Sequence, residues 1–137
     1  MQDNTKQKIT TFSDLYVWKE GHKLVLQIYQ ITKSFPTQEK FALVDQMCRA
    51  VVSITSNIAE GFSRRGVKEK IQFYLMAKGS LTEIQNQLYI ARDVKYINVA
   101  KFNEIWEQTV IVHKLITGII KSVKLFNQSV DTKKHKP

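Results

Sequence analysis

The sequence contains few of the residues that interrupt regular structure. It has two prolines and five glycines among 137 residues, which is too few for the many turns of a β-sandwich or barrel. Its single cysteine, Cys48, excludes an intrachain disulfide and a zinc site built from several cysteines. No Cys–His pair has zinc-ligand spacing. These absences favour a helical protein, and we expect no metal or other cofactor.

Long hydrophobic runs are also absent. No stretch reaches the roughly 18 apolar residues that a membrane-spanning helix needs, and the opening MQDNTKQKITT lacks the apolar segment of a signal peptide. We therefore expect a cytoplasmic protein with no membrane contact. The composition, 43% hydrophobic and 24% charged, is that of an ordinary globular domain.

Acidic residues are scarce relative to basic ones. The chain has 21 Lys and Arg against 12 Asp and Glu, which gives a net charge of +9. Such a surface attracts polyanions, of which nucleic acid is the commonest, although the same charge also serves plain solubility. The charge alone leaves both interpretations open.

Apolar residues recur in steps of three and four, which is the periodicity of helices. This pattern predicts helices near residues 13–34, 38–63, 67–95 and 98–127, between tails at 1–12 and 128–137. In the first helix the predicted buried row is Leu15, Trp18, His22, Val25, Tyr29 and Thr32. Short connections between long helices favour an all-α, antiparallel up-down-up-down four-helix bundle.

Three segments carry a family resemblance: Phe12 to Tyr29, Gln46 to Arg65 and Lys68 to Arg92. From about Phe12 to Lys124 the chain resembles the bacterial four-helix bundle proteins encoded in intervening sequences of 23S ribosomal RNA genes. These are distantly related to the accessory variability protein of diversity-generating retroelements. The signature residues are Gln46, Arg49, Ser53, Asn57, Glu60, Gly61, Gly79 and Ser80. The resemblance implies a helical bundle that forms homopentamers and has no known enzyme activity.

The same signature residues, together with Trp106, are candidate subunit contacts. The fourth helix is apolar over more than half of its circumference, with Trp106 on one flank, and such a surplus is typical of a partner interface. On the second helix, small residues around Ser53 form either a solvated face or a contact with another subunit. In the third helix, Gly79 costs about 1 kcal/mol relative to Ala, which favours a backbone crowded by a neighbour over the alternative of a local bend.

Basic residues gather in two places, and both are candidate nucleic-acid contacts. The first cluster, at the second connection, is Arg64, Arg65, Lys68 and Lys70. The second, at the C-terminus, is Lys121, Lys124, Lys133, Lys134 and Lys136, of which the last three are the candidate contacts. We expect the two clusters at opposite ends of the bundle. Aromatic residues do not alternate with these charges along the sequence, which argues against stacking of unpaired bases.

No arrangement of a nucleophile with a base is visible, so no catalytic residue is assigned and we do not expect an enzyme. The function that fits best is an oligomeric scaffold that binds RNA or DNA phosphates without reading bases. The alternative is a protein-interaction adaptor for an acidic or polymerase-like partner.

Overall fold

A computed structural model describes residues 8–134, with side chains described through residue 130. It has four α-helices: α1 (Tyr16–Thr32), α2 (Leu43–Ser63), α3 (Val67–Asp93) and α4 (Val99–Lys134). Helices α1 and α3 each pack against both α2 and α4, and the described range contains no strand. The predicted all-α class is confirmed, in an arrangement consistent with a four-helix bundle. Within this range, no helix is long and apolar enough to cross a membrane.

The first two helices begin later than the predicted boundaries, because a 3-10 turn precedes each of them. Residues Phe12–Asp14 form a 3-10 turn, in which Asp14 Oδ2 accepts the backbone N–H groups of Thr10 and Thr11 at 2.9 and 3.0 Å. Before α2, Glu39 Oε2 accepts the backbone N–H of Leu43 at 3.1 Å. Glu39 thus satisfies an amide that the start of α2 leaves without an intrahelical partner, whereas Asp14 closes the turn that precedes α1.

Helix α2 ends at Ser63, as predicted, whereas the ends of the other three helices differ from the predicted boundaries. Helix α3 stops at Asp93, and Lys95 then adopts a left-handed backbone conformation with φ 68°. Helix α4 continues to Lys134, so much of the segment predicted as a C-terminal tail is helical. Residues 1–7 of the predicted N-terminal tail, and residues 135–137, lie outside the described range.

The core is a single cluster to which all four helices contribute. The periodicity predicts buried rows at Val44, Met47, Val51, Ile54 and Ile58 in α2 and at Tyr74, Ala77, Leu81, Ile84, Leu88 and Ala91 in α3. All of these residues are buried except Val44, which is half-buried against the core. The row predicted for α1 is wrong at two positions, because His22 and Tyr29 are exposed. Thr32 of that row is buried, and Leu15, Trp18 and Val25 are half-buried at the edge of the core. The residues that α1 buries are Val17, Gly21, Leu24, Ile28, Ile31 and Thr32.

The aliphatic side chains of α1 fill the core better than the aromatic row that the pattern suggested. Trp18 lies at the edge of the core, where it stacks on the exposed His22 with ring centroids 4.7 Å apart. Tyr29, the other aromatic residue of the predicted row, is 46% exposed. The predicted helix was therefore correct but its buried face is rotated toward Leu24 and Ile28.

Candidate functional site

Three signature residues form a hydrogen-bonded network that joins α2 to α3. Ser53 Oγ and Ser80 Oγ lie 2.9 Å apart. Asn57 Nδ2 donates to both the Ser53 carbonyl and Ser53 Oγ, at 2.8 and 3.0 Å. All three side chains are half-buried. The Ser53–Ser80 hydrogen bond links α2 to α3 at a fixed register, and the bonds from Asn57 orient the Ser53 side chain.

The two signature glycines occupy opposite environments. A Cβ built on Gly61 would lie 2.6 Å from Tyr74 Cε1, so this glycine admits the close approach of α3. A Cβ built on Gly79 would meet nothing within 4 Å. The prediction that Gly79 is crowded by a neighbour is therefore wrong for contacts within the chain, and Gly79 lies on an open surface.

The remaining signature residues of α2 face solvent. Gln46, Arg49 and Glu60 are exposed. Arg49 Nε lies 3.0 Å from Asp45 Oδ2, in an i,i+4 surface pair. Such exposed pairs contribute only a few tenths of a kcal/mol to the free energy of unfolding. Stability alone therefore does not account for these residues on the exposed face of α2.

Trp106 belongs to an aromatic cluster inside the chain. Its ring lies 4.9 Å from that of Tyr89 and 5.5 Å from that of Phe102, between centroids. The Arg92 guanidinium lies over the Tyr89 and Phe102 rings, at 5.0 and 4.7 Å. Part of the wide apolar arc of α4 is thus used to pack against α3.

At the second connection, two of the four basic side chains are engaged and two project freely into solvent. Arg64 pairs with Glu60 at 3.3 Å and lies over the Phe73 ring at 4.9 Å. An aromatic ring does therefore accompany this charge, which the sequence did not predict. Arg65 and Lys68 are exposed and form no salt bridge within the residues whose side chains are described.

Lys70 has a structural position. Its ammonium donates to the carbonyl oxygens of Gly61 and Phe62, at 3.2 and 2.7 Å. These carbonyls belong to the last turn of α2, where a positive charge is favourable. Burial lowers the pKa of Lys70. We therefore assign Lys70 to the C-terminal cap of α2 rather than to the solvent-facing cluster.

A second basic surface lies in a groove between α3 and α4. The groove is lined by Leu75, Lys78, Thr117, Ile120, Lys121 and Lys124, with no carboxylate in its lining. Of the predicted C-terminal contacts, Lys133 and Lys134 are helical but their side chains are not described. Lys136 lies outside the described residues.

Both basic clusters adjoin the N-terminal half of α3. Lys70 contacts the end of α2, while Leu75 and Lys78 share a groove with Lys121 and Lys124 of α4. The prediction that the clusters lie at opposite ends is wrong, because the C-terminal part of α4 packs beside the start of α3. No group of histidine, cysteine and carboxylate side chains in the described part of the chain is arranged to hold a metal ion.

These features define an all-α, four-helix chain with a basic face. The family model for the 23S rRNA-intervening sequence protein matches residues 13–118, and the chain belongs to that family. The chain is similar to the crystal structure of a protein with unknown function from the S23 ribosomal protein family of Bacteroides thetaiotaomicron. The two share 23% identity and a TM-score of 0.71, over 77% of this chain and 95% of that one, a likeness that shows the fold. No curated protein matches significantly.

Proposed function

We propose that this chain is a non-enzymatic, cytoplasmic scaffold that binds nucleic acid through its basic face. The observation that carries the proposal is the convergence of exposed basic side chains beside the N-terminal half of α3. Arg65 and Lys68 come from the second connection and Lys121 and Lys124 from α4. Polyphosphate backbones bind surfaces of this kind by counterion release.

The proposal includes an antiparallel, up-down-up-down arrangement of the helices. Two pairs support it for α2 and α3: Ser53 meets Ser80, and Gly61 lies against Tyr74. Residue numbers rise along one helix as they fall along its neighbour. For α3 and α4, Gln85 donates a hydrogen bond to Thr109, and Lys78 shares a groove with Lys121. Residue numbers again rise along one helix as they fall along the other, so this pair also supports an antiparallel arrangement.

The proposal also includes self-association, as the cyclic pentamer that the family resemblance implies. The support is an open groove on the outer side of α1 and α2, where Tyr29 and Val52 are 46% and 38% exposed. The rest of the lining is Asp45, Cys48, Arg49, Ser53 and Ser56. Small and apolar side chains of this kind permit the close approach of a second helix.

Light scattering tests the assembly. We expect about five times the chain mass of 15.9 kDa. Val52→Asp should lower this mass, because an unpaired carboxylate would be buried between subunits. Val99→Asp is the matched control, since Val99 is 63% exposed at the start of α4, outside the groove. A monomeric wild-type protein would refute self-association.

Binding across a salt series tests the nucleic-acid function, with structured RNA, duplex DNA and single strands as probes. Replacing Arg64, Arg65 and Lys68 by Gln should weaken binding to every probe and flatten the salt slope. Lys70 is left intact because it caps α2. The control carries the same charge change at Lys19, Lys23 and Lys33, exposed residues on or beside α1. If the wild-type protein binds no probe at low salt, the scaffold serves an acidic protein partner instead.

A further inference from the structure

We propose that the groove between α3 and α4, lined by Lys78, Lys121 and Lys124, is a binding site for a single-stranded polynucleotide. The inference rests on the proposed nucleic-acid function and assigns it a specific site and strand form. The sequence places Lys121 and Lys124 in the C-terminal basic cluster, but it predicts neither the participation of Lys78 nor the groove that the three lysines share.

The charges of the groove are uncompensated. Within residues 8–130, no carboxylate forms a salt bridge with any of the three lysines, and none lines the groove. Lys121 and Lys124 are three residues apart on α4, so they project from the same helix face. Their ammonium groups are therefore available to phosphate oxygens along one edge of the groove.

The groove also has an apolar surface, which distinguishes it from a simple basic patch. Leu75 is 51% exposed at its wall, and Ile120, at 8% exposed, lies beneath. A duplex presents phosphates and sugars to a protein surface, whereas a single strand can also place the apolar face of a base against such a wall. Charge complementarity together with the apolar wall therefore favours an unpaired strand.

The groove lies on the same face of α3 as Lys68 of the second connection. Lys68 and Leu75 are seven residues apart on α3, so they lie on the same helix face about 10 Å apart along the axis. Both Lys68 and Arg65 are exposed. A strand that occupies the groove can therefore extend along α3 to the residues that carry the proposed function.

Fluorescence anisotropy with a labelled oligothymidylate, and with a duplex of matched length, tests the charges. Replacing Lys78, Lys121 and Lys124 together by Gln should weaken strand binding about a hundredfold at 0.1 M salt. For a single strand, the logarithm of the binding constant falls by about 0.7 per phosphate contact for each tenfold rise in salt, so three contacts contribute about two powers of ten at 0.1 M relative to 1 M salt. Replacing Lys19, Lys23 and Lys33 should change it by no more than about threefold, because distant charges are screened. Equal weakening by the two triple variants would overturn the site.

A matched pair of single variants tests the apolar wall. Leu75 and Met76 are adjacent and equally exposed, at 51% and 50%, but only Leu75 lines the groove. Leu75→Gln should weaken strand binding about fivefold and leave duplex binding unchanged, and Met76→Gln should affect neither. If both variants behave alike, the wall contacts no base and the single-strand assignment fails. Failure of the wild-type protein to bind any strand or duplex would refute the proposed function itself, whereas unchanged binding by the groove variants would refute only this site.

Discussion

Gly61→Ala tests the packing of α2 on α3 more sharply than any other substitution. The added methyl group would lie 2.6 and 2.9 Å from two carbons of the Tyr74 ring and 3.2 Å from Phe73 Cβ. Real contacts between carbon atoms are close to 3.5–4.0 Å. The Tyr74 ring is only 1% exposed and cannot turn away into solvent. The substitution must therefore move a helix or distort the ring.

Two opposing terms set the magnitude of the effect. Overpacking a tightly packed core costs about 1–3 kcal/mol. Replacing glycine by alanine inside a helix stabilises the helix by at most about 1 kcal/mol. The gain is smaller at Gly61, which lies in the last turn of α2. We therefore expect Gly61→Ala to lower the free energy of unfolding by about 1–2 kcal/mol.

Gly79→Ala is the matched control, because a Cβ there meets nothing within 4 Å. Only the helix-propensity term remains, so this variant should raise the free energy of unfolding by about 1 kcal/mol. Urea denaturation followed by circular dichroism measures both variants. The two changes should have opposite signs. If Gly61→Ala stabilises the protein as much as Gly79→Ala does, the close approach of α3 to α2 is not as described.

Two further predictions concern the core and the first turn. Ile54→Asp should unfold the protein, because Ile54 is fully buried and an unpaired carboxylate there costs several kcal/mol. Asp45→Ala should cost less than about 1 kcal/mol, since it removes only a surface pair; equal thermal shifts would contradict the assigned faces of α2. Hydrogen bonds from the Thr11 and Thr10 amides lower the pKa of Asp14. Its stabilisation is therefore present above the ordinary carboxyl pKa and lost as the pH falls through the lowered value, so Asp14→Ala should destabilise at neutral pH but not in strong acid.

The sequence predicted the existence and type of all four helices because long periodic apolar patterns are strong signals. It predicted the buried faces of α2 and α3 because their apolar rows are unambiguous. Helix α1 offers two overlapping rows, an aromatic one through Trp18 and an aliphatic one through Leu24. Periodicity cannot choose between them, since the choice depends on which side chains fit against Ile54 and Ile58.

The basic surface was harder to predict than the fold. The cluster around Arg65 is contiguous in sequence and was identified, but the Lys78–Lys121–Lys124 groove joins residues that are more than forty positions apart. The order of the helices nevertheless predicts that the two basic regions lie close together. In a chain of four helices with short connections that reverse direction, the second connection and the C-terminal end of the last helix fall at the same end. The capping role of Lys70 depends on side-chain geometry that no sequence pattern specifies.

The two proposed surfaces lie on different pairs of helices, and this separation has a functional consequence. The self-association groove is formed by α1 and α2 around Val52, whereas the basic groove is formed by α3 and α4 around Lys121. In a ring, each subunit meets its two neighbours through two different surfaces, so the basic groove stays open when the surface that covers the first groove lies elsewhere on the neighbouring chain. Each subunit of a ring would then carry its own strand site, and a long strand could engage several sites at once. Weak phosphate contacts, each insufficient alone, gain affinity in such an assembly through effective concentration rather than through new contacts.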